Sequence, residues 1–68
     1  MNPELTTRQA IVCEHIAYTL TERGIPAHLI KAAQHDAVRA MERGSSSAMA
    51  IAKATQWALK QLTLEMLK

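Results

Sequence analysis

Apolar residues recur along the chain at the three-and-four spacing of a helix, and the glycines and prolines interrupt that spacing at only a few points. The pattern predicts an all-α, three-helix domain spanning residues 1–68, with helices over about 3–23, 26–43 and 47–67. Punctuation supports these limits. Asn2 before Pro3 makes a good N-cap followed by the residue best tolerated at the first helical position, and Thr6 with Gln9 offers a capping box one turn later. Gly24 and Gly44 suit left-handed C-terminal caps. Pro26 opens the second helix, and any of Ser45, Ser46 or Ser47 can cap the third. Alanine is abundant and no strand signal competes, so local propensity agrees with periodicity.

The faces of these helices differ. On the first, Leu5, Val12, Cys13, Ile16, Ala17 and Leu20 share one arc, while Ile11, His15 and Tyr18 form a separate stripe completed by Glu22. The second is apolar along Leu29, Ile30, Ala33, Ala37, Ala40 and Met41, and polar opposite. The third carries two apolar faces: Ile51, Ala58, Leu59, Leu62 and Met66, and then Ala50, Ala54, Trp57, Gln61 and Leu64. A helix with two apolar sides needs two partners. The expected core is Leu5, Val12, Ile16, Leu20, Leu29, Ile30, Ala37, Met41, Ile51, Leu59, Leu62 and Met66.

The second stripes of the first and third helices are the candidate protein interface: Trp57, Leu64, Ala50, Gln61, Ile11, Tyr18 and His15. Trp57 has an alternative place over the edge of the core, where amphipathic tryptophans often lie. One tryptophan does not secure a partner. Burying roughly 200 Å² at about 25 cal/mol per Å² yields at most about 5 kcal/mol, against an association cost of about 4–15 kcal/mol. A two-fold homodimer uses each stripe residue twice, so self-association through the first and third helices is the least demanding cover.

Length and composition narrow the classes further. A 68-residue chain sits near the lower size limit for folding alone, and such scaffolds lean on disulfides, metals, tight helix packing or oligomerisation. The single cysteine, Cys13, removes an intrachain disulfide. The N-terminal stretch lacks the basic flank and apolar run of a secretory signal, and no segment approaches a membrane span, so a cytoplasmic protein without a membrane partner is expected. Net charge is +2 with acidic and basic residues interspersed, which neither demands nor excludes nucleic acid.

Basic residues do gather on the second helix, where His28, Lys31, His35, Arg39 and Arg43 follow one another along one side. They form the alternative nucleic-acid face, with the ordinary solvated helix surface as its plain counterpart. The stretch "IAYTLTERGIPAHLIKAAQ", with Ala17, Gly24 and Ile30 in order, resembles a helix-turn-helix, which implies a second helix in the major groove. It departs from that pattern in the seven positions separating Ala17 from Gly24 and in its long first helix. Asp36 and Glu42 also interrupt the basic side.

Other chemistry finds little footing. His28 and His35 are seven residues apart, about 10.5 Å along a helix, too far to hold one ion together, so no metal or other cofactor is expected. Cys13 and His15, two positions apart, point in different directions on a helix and make no nucleophile and base pair. No catalytic residue is assigned. The sequence therefore reads as a small helical protein-binding module, an inhibitor or adaptor that dimerises and masks a larger regulatory protein, in the manner of small phage or mobile-element products aimed at host regulators. A dimeric DNA-binding regulator is the alternative.

Overall fold

The computed structural model of the chain describes residues 6–67. Three helices occupy almost all of them: α1 (Thr7–Glu22), α2 (Ala27–Glu42) and α3 (Ser47–Met66), with no strand among the described residues. The start of α1 falls a turn later than residue 3, at the second of the two expected caps. Thr6 Oγ1 accepts from the Gln9 backbone N–H at 3.1 Å, and the Gln9 side chain accepts from the Thr6 backbone N–H at 3.0 Å, closing a capping box. Asn2, Pro3 and Leu5 lie outside the described residues. Ser46 is the serine that caps α3, accepting from Met49 N–H at 3.1 Å. Replacing Thr6 with alanine is expected to cost about 1 kcal/mol in urea unfolding, because the Gln9 amide loses its acceptor at a helix end.

Both turns close as Schellman motifs. Ile25 N–H donates to the Leu20 carbonyl and Gly24 N–H to that of Thr21, while Ser45 N–H donates to Ala40 and Gly44 N–H to Met41. Gly24 and Gly44 supply the positive φ values of 74° and 104° that these caps need. The first motif also explains a core residue absent from the expected set: Ile25 follows the cap glycine and is buried, as is Leu20, to whose carbonyl its amide is bonded.

Short connections and side-chain contacts fix the helix directions. Gln34, in the middle of α2, donates to the Cys13 carbonyl in the middle of α1, so the helices joined by the Gly24 turn run antiparallel. His28 near the start of α2 meets Glu65 near the end of α3, and Arg8 near the start of α1 donates to Ser47 at the start of α3. The result is an up-down-up bundle, 37 × 21 × 21 Å, in which every helix packs against both others.

Alanine dominates the centre of this bundle. Val12, Ile16 and Leu20 of α1 cluster with Leu29, Ala33, Ala37 and Ala40 of α2 and Ala50, Ala54 and Ala58 of α3, all buried. Small side chains let helix backbones approach closely. Ile30, Met41, Ile51, Leu59 and Leu62 from the expected core are half-buried around this seam. Two assignments need correction. Ala50, placed on an intermolecular stripe, is 1% exposed inside the bundle. Met66, placed in the core, is 75% exposed, because α3 is 20 residues long against 16 for α1 and no buried residue occurs on it after Ala58.

Candidate functional site

The two apolar stripes meet different fates. On α3 the buried line Ala50, Ala54 and Ala58 runs between the two expected faces, so those faces are the flanks of one broad apolar arc. Trp57 lies on one flank, half-buried and packed against the core, which is the alternative place its amphipathic ring allows. Gln61 is half-buried and Leu64 is exposed on the same side. The seam expected through Ala50 and Trp57 therefore belongs largely to the interior of the bundle.

On α1 the outer stripe stays open. Ile11 is 60% and Tyr18 71% exposed, whereas Val12, Ile16 and Leu20 of the same helix are buried. Ile11 and Tyr18 border a shallow depression of about 440 Å³ together with Glu14 and His15, all four from α1. Helical rise fixes the layout. Seven residues separate Ile11 from Tyr18, two turns and about 10.5 Å, with Glu14 and His15 between them on either side of their line. The surface offers an aliphatic and an aromatic contact with a phenol, an imidazole and a carboxylate alongside. Tyrosine supplies large contact area at small entropic cost.

The basic residues of α2 are all exposed along one side of the helix, and some of them have neighbours on the other helices. His28 Nε2 lies 3.0 Å from a Glu65 carboxylate oxygen of α3, within hydrogen-bond distance. Lys31 and His35 instead border a groove between α1 and α2, where they meet Cys13, Gln34 and Val38 around a volume of about 310 Å³. Arg39 and the cap residue Arg43 stand apart from both. The helix-turn-helix resemblance also ends here: its two helices cross at about 90–120°, whereas α1 and α2 are antiparallel along their length.

Periodicity alone does not reveal that groove, although Gln34 and Val38, four apart beside the apolar face of α2, mark its wall. Gln34 Nε2 donates to the Cys13 carbonyl at 2.9 Å and ties the two helices across it. Burial pushes the Cys13 thiol above its ordinary pKa, because the thiolate loses hydration there. Two consequences follow. Alkylation of the folded chain near pH 8 is expected to run several-fold slower than in urea, since the thiolate is the nucleophile. The folded state also keeps the thiol proton to higher pH than the unfolded state, so stability falls as pH rises past the ordinary thiol pKa. Stopped-flow thiol assays and urea titrations across alkaline pH read the two effects.

Cys13 and His15 border different depressions, which keeps them from acting as a pair. Among the described residues, no three His, Cys, Asp or Glu side chains converge as metal ligands, and no helix is long and apolar enough to cross a membrane. Compared with known protein families, curated proteins and solved structures, the chain matches none.

Proposed function

We propose that the chain is a small protein-binding module that acts by occupancy, an inhibitor or adaptor whose outer α1 face covers part of a larger regulatory protein. One observation carries the reading: Ile11 and Tyr18 present their apolar surface to solvent from a helix whose core face is already satisfied. A helix held by three other buried side chains of its own offers these two residues in a fixed geometry, which lowers the ordering cost of binding. Exposed single apolar residues are common on any surface. A tyrosine and an isoleucine two turns apart around one depression are a more directed feature.

Site-specific photo-crosslinking tests this reading. A photoreactive phenylalanine analogue at position 18 is expected to trap a protein partner in cells that make the chain, and the same probe at Glu42, exposed on α2, is expected to give none. Equal adducts from both positions, or none from position 18, would remove the support.

A second reading rests on the basic residues of α2, of which Lys31, His35, Arg39 and Arg43 are exposed without a carboxylate partner among the described residues. In it the chain binds DNA through its phosphates. Replacing Lys31 and Arg39 with alanine would then reduce the salt slope of binding by about one for each phosphate left unneutralised.

A further inference from the structure

We infer that the outer face of α1 is self-complementary and that a second copy of the chain occupies it, antiparallel, about a two-fold axis passing between Glu14 and His15. This rests on the reading of that face as a protein-binding surface: the second copy covers it at rest, and the larger partner competes with that copy for it. A two-fold axis across two antiparallel helices places residues equally distant from it opposite one another. Setting Ile11 against Tyr18 of the second copy, so that each exposed apolar side chain covers the other's equivalent, puts the axis midway between them.

The charges of α1 fit this register. Arg8 lies in the first turn and Glu22 in the last, both exposed. Each is the wrong sign for its own helix end, since the N-terminus favours anions and the C-terminus cations. Neither has an oppositely charged partner among the described residues; Arg8 donates only to the Ser47 hydroxyl, at 3.2 Å. In the antiparallel pair Arg8 stands within one residue, about 1.5 Å of axial rise, of Glu22 of the copy. It also lies beside the carbonyl end of the copy's helix, while Glu22 lies beside the amide end. Symmetry makes both pairings twice. Like flanks meet across such an axis, and Arg8, His15 and Glu22 share one flank, so the pairing needs no rotation of either helix. Arg23, the cap residue after Glu22, falls about 100° further round. His15 on the flank of Arg8 and Glu22, and Glu14 on the other, each face their own copy across the axis; the two imidazoles bring no attraction, and the two carboxylates oppose the pairing.

The size of the face sets the strength. α1 is 16 residues long, about 24 Å, and one helix pair of that length buries less than the roughly 1,200 Å² of a standard interface. The dimer is therefore weak, with dissociation between about ten micromolar and one millimolar.

Sedimentation equilibrium of the full chain at low salt, over that concentration range, tests the register. The parent is expected to dimerise. Arg8→Glu and Glu22→Arg should each weaken the dimer about tenfold, and the two together should restore it to within about threefold, because two attractions become two repulsions and then two attractions again. Glu14→Gln should tighten it a few-fold. Both single reversals suit the dipole of α1, so neither is expected to unfold the monomer, which circular dichroism checks. A parent that stays monomeric throughout, a dimer indifferent to both reversals, or a double variant weaker than either single one overturns the inference. If the parent is monomeric while position 18 still crosslinks to another protein, only the self-pairing falls; if position 18 also traps nothing, the protein-binding reading falls with it.

Discussion

Replacing Ala54 with leucine is expected to cost about 3 kcal/mol or more, the upper part of the range for overpacking a filled core. Ala54 is fully buried in the middle of α3, with Ala50 and Ala58 a turn away on either side, and Ala33, Ala37 and Ala40 complete the small-residue core on α2. A leucine there adds three carbons where helices approach closely, and no neighbouring large side chain on the seam can shrink to receive them. The helices must separate, which loosens the half-buried Ile51, Trp57 and Leu62 around the seam as well. A domain this small has roughly 3–10 kcal/mol in total, so much of the population unfolds. At about 4–8 °C per kcal/mol for this size, the thermal midpoint should fall by about 12–24 °C. Thermal denaturation followed by circular dichroism reads this, with Ala52→Leu, exposed on the same helix, as the control expected to change little.

Ile16→Ala should be nearly as damaging by the opposite route. Ile16 and Leu20 are the largest fully buried side chains, and both come from α1. Truncating Ile16 removes its transfer free energy and leaves a cavity, together about 2–5 kcal/mol. The value should fall in the upper half of that range. Six of the eleven buried residues of the core are alanines, which have no side chain to swing into the gap, and the helices are tied by short Schellman turns. Urea unfolding gives the figure, with an unchanged slope showing that the loss lies in the folded core.

Much of this architecture is legible in the sequence. The three helices follow from periodicity and from Gly24 and Gly44, glycines at the positions where the caps take positive φ values. The Thr6 and Gln9 pair is readable as a cap because its spacing is that of the hydrogen bonds it makes. The phase of α3 is harder to read. Large apolar residues dominate any judgement of which face is buried, and here they flank the buried line while alanines occupy it. Helices in close approach place Cβ atoms at the centre and push Ile51, Leu62 and Trp57 to the sides, so the arc looks like two separate faces. Burial of Ile25 depends on a turn geometry that also requires Gly24, and the exposure of Met66 depends on α3 outrunning its neighbours, a fact about relative lengths.

The candidate surface divides in the same way. Ile11 and Tyr18 are separable from the core of α1 because Val12, Ile16 and Leu20 already make a complete face at helical spacing. Trp57 is not separable, since a half-buried flank and an intermolecular stripe have the same sequence pattern. The hydrogen bond between His28 and Glu65 joins residues 37 positions apart, and no local pattern announces it.

We propose that the outer face of α1 serves contact with other chains and contributes almost nothing to the fold. Urea unfolding of the Ile11→Gln, Tyr18→Gln double variant, at low micromolar concentration where self-pairing is dilute, tests it most directly. Glutamine keeps helix propensity close to that of good helix formers. Stability within about 1 kcal/mol of the parent is the expected result, as for two exposed and independent sites. A loss above about 2 kcal/mol, the scale of a truncated core side chain, would instead make these residues part of the fold.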